Sequence, residues 1–228
     1  MIYDIVSFDL DGTLVDTASE IAEAANRALA AHGIERRPVP EITQFIGHGT
    51  RELIIRLVER VVTERPALAD RLPLSSVLAG MDQHYAQTTG TTATPYEGTV
   101  EALQMLSAAG VKLACVTNKE FRHACRVLTV TGLAPYFELT IGGDSLAWKK
   151  PHASVLQHVV QSLRGRPDRT AHIGDSGIDV EAARNAGVTA WAVPYGYNGG
   201  VPIDAAQPER IFPGLLSMAQ HVVTGLTR

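Results

Sequence analysis

Two aspartates spaced two apart, Asp9 and Asp11, close the apolar run Ile5-Val6-Ser7-Phe8, and Gly12-Thr13 follows at once. An ordinary acidic turn would use the same residue types. However, carboxylates at that spacing share one face if the extended chain continues through them. Further polar residues stand after later apolar runs: Thr117-Asn118 after Val111 to Val116, and Asp175 with Asp179 after Thr170 to Ile173. Lys149-Lys150 adds positive charge. Several acids, a lysine and a hydroxyl form a working set for phosphoryl transfer. Clustered carboxylate oxygens suit Mg²⁺, which keeps several waters and bridges to phosphate. A lysine and free backbone amides suit the remaining phosphate oxygens.

Elements far apart in the chain must bring these residues to one place. The run Ile5 to Phe8 has the length and residue types of a buried strand. Thr17-Ala18-Ser19-Glu20 reads as a capping box opening a helix that stops at Gly33. Helical spacing recurs around Ile42 and Phe45, over Leu53, Ile54, Leu57, Val58 and Val61, and from Leu74 to Gln87. Nothing between Asp16 and Gly90 reads as a strand. From Gly98 the pattern changes to alternation. Strands are expected at 111–116, 137–141, 170–173 and 189–193, and helices at 100–109, 121–131, 153–163 and 179–186. That alternation predicts a parallel sheet covered by helices on both faces. The expected fold is therefore α/β: a Rossmann-like core from residues 1–15 and 91–228, interrupted by an all-helical cap over 16–90. The polar residues follow the carboxyl ends of strands, the edge at which open parallel sheets bind ligands.

Composition narrows the partners. With 228 residues, 45% apolar and 19% charged, the chain is an ordinary globular protein. Twenty basic against 24 acidic residues give a net charge of −4 without a basic cluster. Nucleic acid and anionic membrane are therefore not expected as main partners. No apolar stretch approaches the ~20 residues that span a bilayer, and no signal peptide is visible. Cys115 and Cys125 lie in apolar segments and are expected as reduced, inert thiols in the cytoplasm.

The four polar stretches, in this order, resemble the motifs of the haloacid dehalogenase superfamily of phosphatases. They are Phe8-Asp9-Leu10-Asp11-Gly12-Thr13-Leu14, Val116-Thr117-Asn118-Lys119, Lys150-Pro151 and Gly174-Asp175-Ser176-Gly177-Ile178-Asp179. The resemblance implies Asp9 as a nucleophile forming an aspartyl-phosphate, and Asp11 as general acid and then base. It also implies Mg²⁺ held by Asp9, the Asp11 backbone carbonyl and Asp175. Asp179 would orient water or brace its loop, with direct ligation as the alternative. Thr117 would hydrogen-bond the phosphoryl group and Lys150 would neutralise it, while Asn118 and Ser176 line the site. Lys149 is expected to be solvated, Lys119 to be a helix-start surface charge, and His172 to be a satisfied core histidine.

Within that superfamily the likeness is nearest to bacterial phosphoglycolate phosphatases, carried by Phe45-Ile46-Gly47-His48-Gly49, Ile141-Gly142-Gly143-Asp144, Lys149-Lys150-Pro151-His152 and Tyr195-Gly196-Tyr197-Asn198. A small phosphate monoester, 2-phosphoglycolate above all, is the substrate this implies, for a monomer or homodimer. His48, Gly49 and Arg51, before a helix in the cap, are the expected contacts to a second anion. A phosphomutase of the same fold and a phospho-accepting signalling module are the competing readings. The module needs neither a cap nor an acid two residues past its acceptor.

Overall fold

The computed structural model describes residues 3–225. Among these residues eight strands form, β1 (Ile5–Phe8), β2 (Val15–Asp16), β3 (Thr94–Pro95), β4 (Lys112–Val116), β5 (Leu139–Ile141), β6 (Thr170–Gly174), β7 (Thr189–Ala192) and β8 (Arg210–Ile211). Six of them make one parallel sheet in the order β5-β4-β1-β6-β7-β8. The chain builds outward from central β1 to β5 on one side, then returns to build β6 to β8 on the other. The reversal of strand order leaves a crevice at the carboxyl end of β1.

Alternate residues of each strand enter different cores, as a period of two requires. Val6, Phe8, Leu113, Cys115, Ala171, Ile173 and Trp191 pack beneath helices α5 (Thr99–Ala108), α6 (Phe121–Val130) and α9 (Leu215–Thr224). Ile5, Ala114, Val116, Ala190 and Ala192 face α7 (Ala153–Ser162) and α8 (Gly177–Ala186). Both faces are therefore covered, as expected. The thiol of Cys115 is buried and that of Cys125 partly buried, and both are free. No helix among the described residues is long and apolar enough to cross a membrane.

Between β2 and β3 the chain is helical: α1 (Ala18–Ala30), α2 (Val39–Thr43), α3 (Thr50–Glu64) and α4 (Leu74–Thr88), with a 3-10 turn at Pro66–Arg71. These helices have their own apolar core, drawn from Ile21 through Tyr85 and sharing no residue with the two sheet cores. The short antiparallel pair β2–β3, Val15 opposite Pro95 and Asp16 opposite Thr94, marks where the chain leaves the sheet and re-enters it.

Two local expectations are corrected. The extended chain does not run on through Asp11. β1 ends at Phe8, and the Leu10 carbonyl accepts the amides of Thr13, Leu14 and Val15 in a tight turn. Thr17 and Glu20 do not form a capping box. The Thr17 hydroxyl donates to Asp11, and Glu20 turns inward, where it is buried and accepts the Gly90 amide at 2.8 Å. Beyond Val193, β8 and α9 complete the sheet and one of its helical layers.

Candidate active site

The crevice collects side chains from four strand ends. Asp9 follows β1 and continues its ladder for one residue, its amide donating to the Ile173 carbonyl at 3.0 Å. Thr117 and Asn118 follow β4, and Asp175 follows β6. Lys150, just before a cis peptide to Pro151, enters from the loop after β5. Its ammonium is buried and fully engaged, donating to Asp9 Oδ1 at 2.8 Å, Asp179 Oδ1 at 2.7 Å and the Val116 carbonyl at 2.7 Å.

Asp179, in the first turn of α8, has both oxygens occupied. Oδ1 takes Lys150 and, at 3.3 Å, His172 Nε2, while Oδ2 takes the Ser176 amide at 3.1 Å and its hydroxyl at 2.6 Å. His172 is the fully buried core histidine expected, and its Nδ1 meets Ser7 Oγ at 2.9 Å across the paired strands β1 and β6. Such close approach fixes two glycines. A Cβ on Gly174 would fall 2.1 Å from the Asp179 carboxyl carbon. Gly12, at φ +88°, lies in the left-handed region, and a Cβ there would fall 2.5 Å from Asp175 Oδ2. Asp175 itself accepts the Thr13 hydroxyl and the Tyr197 amide, each at 2.6 Å.

The charges do not balance. Burial pushes Asp9 up to about 6, against the pull of Lys150. Burial, reinforced by the Asp9 and Asp179 charges, raises Asp175 well above the usual carboxylate range. Asp179 goes the other way, because Lys150 and the donated hydrogen bonds outweigh its burial. Oxygens of Asp9, Asp175 and Asp179 lie within 4.8 Å of one another. A buried set of three carboxylates against the one ammonium of Lys150 carries an excess of negative charge on hard oxygen donors, which fits a divalent cation of the Mg²⁺ type. Asp179, with four donors already on it, acts here as the brace of Lys150.

A cavity of about 390 Å³, including its mouth, lies between this crevice and the helical insert. Asp9, Asp11, Thr117, Asn118 and Lys119 line its floor, and Ile21, Ile46, Gly47, Gly49, Thr50, Leu53 and Tyr85 the remainder. The expectation for Lys119 is overturned. It is 3% exposed, its ammonium is 2.6 Å from Asp11 Oδ1, and it lies over the Tyr85 ring at 5.1 Å. Burial works against its charge, but Asp11 and Tyr85 together outweigh burial and push its pKa up, so it stays protonated. Lysine after a strand and before a helix looks solvated in sequence. Tyr85 and Asp11, which enclose it, approach from the insert and from the β1 turn.

The other expected contacts separate. Gly49 lines the cavity, whereas Arg51 is exposed and does not. His48 lines a wider groove toward Ser176, and its carbonyl accepts the exposed Lys149 at 2.6 Å. The backbone of that loop is tied to the floor, with the Asn118 side-chain amide donating to the Gly47 and Lys150 carbonyls at 3.0 Å each.

Residues 6–193 match the family model of the haloacid dehalogenase-like hydrolases. The chain belongs to that family. This hydrolase is 38% identical over 221 residues to a phosphoglycolate phosphatase of Thiobacillus denitrificans, covering 95% of this chain and 94% of that one. It is 40% identical over 194 residues to the plasmid phosphoglycolate phosphatase of Cupriavidus necator, covering 85% and 82%. Among solved structures, a predicted phosphoglycolate phosphatase of Haemophilus somnus superposes with a TM-score of 0.91 at 28% identity, covering 97% of this chain and 99% of that one. These relatives make the hydrolase a phosphatase of small phosphate esters, a phosphoric monoester hydrolase.

Proposed function

We propose that the enzyme hydrolyses 2-phosphoglycolate to glycolate and phosphate, with Mg²⁺ as its cation. The observation that carries this reading is the placement of Lys119 beside Asp11. In 2-phosphoglycolate the carboxylate is one carbon from the ester oxygen, the atom that Asp11 protonates. A substrate engaged at Asp11 therefore brings its second anion to the Lys119 ammonium. The buried Tyr85 hydroxyl, which completes no regular hydrogen bond and faces Lys119, supplies a donor there. Arg51, exposed outside the cavity, has no part in this reading.

The core residues then divide the work. The Asp9 carboxylate attacks phosphorus as the ester P–O bond breaks, and Asp11 gives its proton to the departing glycolate oxygen. Water next attacks the aspartyl-phosphate, returning a proton to Asp11 and freeing Asp9 and phosphate. Thr117 and Asn118 border the phosphoryl position, and Lys150 opposes its charge. Asp9, Asp175 and the Asp11 carbonyl would hold the cation, which supplies further charge neutralisation to the phosphoryl oxygens. The helical insert serves as a cap, residues 16–90, over a core of 1–15 and 91–228. The separate apolar cores support that division.

Phosphate release from 2-phosphoglycolate is expected to stop on exhaustive chelation and to return with Mg²⁺. Full activity in excess chelator would remove the metal from this reading. For specificity, Lys119→Met is expected to lower kcat/KM for 2-phosphoglycolate by roughly 30- to 1,000-fold, near the cost of losing one partner of a desolvated charge pair. The loss on p-nitrophenyl phosphate, which has no second anion, should be at least about tenfold smaller. An equal loss on both would confine Lys119 to holding Asp11.

A further inference from the structure

The stretch Tyr195-Gly196-Tyr197-Asn198 lies outside the four motifs that do the chemistry, yet Tyr197 touches both ends of the machinery. Its amide donates to Asp175 Oδ2 at 2.6 Å. Its hydroxyl reaches the start of α1, where it accepts the Thr17 amide at 2.8 Å and the Ala18 amide at 2.9 Å and donates to Asp16 Oδ1. A helix leaves its first amides without partners, and a threonine at that position ordinarily satisfies one with its own hydroxyl. In α1 Thr17 makes no such bond; the Tyr197 hydroxyl, 180 residues away, takes the Thr17 and Ala18 amides, the second shared with Asp16 Oδ1 at 3.1 Å. The Thr17 hydroxyl donates to Asp11 Oδ1 at 2.6 Å.

We propose that Tyr197 is a positioning residue for Asp11, acting through Thr17. The proposal rests on the acid–base role of Asp11 and not on the identity of the substrate. Asp11 sits on a tight turn beyond the end of β1, where no sheet ladder holds it. Two donors fix its Oδ1, Lys119 from the sheet side and Thr17 from the start of α1 at 2.6 Å each, and no donor among the described residues reaches Oδ2. The carboxyl is thus oriented with one oxygen anchored and the other available to carry the proton. The Thr17 anchor holds its direction only while the α1 terminus is fixed. Tyr197 fixes it against the loop that also bears on Asp175, and Tyr195 ties the same loop to the Thr13 carbonyl at 3.2 Å.

Tyr197→Phe keeps the ring and the amide on Asp175 and removes only the hydroxyl. It should lower kcat about tenfold for an alkyl phosphate such as 2-phosphoglycolate, the worth of an orienting hydrogen bond. For p-nitrophenyl phosphate, whose leaving group needs little protonation, the loss should stay under about twofold. Mg²⁺ dependence should not move. Thr17→Val should show the same split, and the double variant should be no worse than either single, because both act through one contact. Should Tyr197→Phe fail to fold, Thr17→Val carries the same prediction. Equal losses on both esters, no loss on either, or additive losses in the double variant would overturn the proposal. Asp11→Asn is the reference. Absence of leaving-group dependence there would remove the acid role itself, and this proposal with it, whereas an equal loss on both esters in Lys119→Met would count against the substrate reading alone and leave this proposal standing.

Discussion

Asp9→Asn should reduce turnover by about 10⁴-fold or more, the scale seen when an enzyme loses its nucleophile. An amide presents no carboxylate to phosphorus, so neither the phosphoenzyme nor its hydrolysis is open to the variant. The fold should survive. The side chain keeps its shape, its Oδ1 still accepts Lys150, and the substitution removes a charge that burial already disfavours, pushing Asp9 up to about 6. The measurements are steady-state phosphate release and an acid quench that traps aspartyl-phosphate in the wild type. Thermal denaturation should place the two proteins within a few degrees of each other. Near-normal turnover by Asp9→Asn, with contaminating phosphatase excluded, would sink covalent catalysis at this residue.

The sheet was legible in the sequence because buried parallel strands are short apolar runs, and β4, β6 and β7 end within a residue of where those runs end. The residues at their carboxyl ends were legible for the same reason, since topology forces Asp9, Thr117 and Asp175 to one edge. What was not legible was set by partners distant in sequence. Thr17-Ala18-Ser19-Glu20 has the spacing of a capping box, but the Thr17 hydroxyl goes to Asp11, Tyr197 takes the Thr17 and Ala18 amides, and Glu20 is drawn in by the Gly90 amide. Local pattern cannot foresee a competing acceptor 180 residues on. The burial of Lys119 is equally invisible to local pattern, since it depends on Tyr85 of α4 and Asp11 of the β1 turn meeting over it. Arg51, as a basic residue at a helix start, has the sequence look of an anion contact. In the structure the first turn of α3 presents Thr50 and Leu53 to the cavity and leaves Arg51 outside.

Removal of the central cation should cost more stability than any other single change in the site. Lys150→Met fills a similar volume but leaves Asp9 and Asp179 buried without the ammonium now 2.8 and 2.7 Å from them. Stranding the partners of a buried ion pair costs roughly 3–5 kcal/mol, a large part of the stability of an ordinary domain. The pH dependence identifies the cause. In the wild type, the lowered pKa of Asp179 contributes stability that is present above the unfolded value near 3.9 and lost as pH falls through the folded one. Without Lys150 the main opposition to burial is gone, and the folded pKa of Asp179 rises above the unfolded value. The sign then reverses for Asp179, and Asp9, already raised in the wild type, loses the pull of Lys150 as well, so both cost stability as pH rises through neutrality. The deficit of Lys150→Met relative to wild type should therefore be larger at pH 8 than at pH 5. Urea titrations in excess chelator at the two pH values measure it, with the m-value checking that only stability has changed. Adding Asp179→Asn to Lys150→Met should recover part of the loss at pH 8, since it removes one stranded charge. A deficit independent of pH, unrelieved by that second substitution, would mean that Lys150 stabilises the fold by packing its methylenes and not by holding two carboxylates in place.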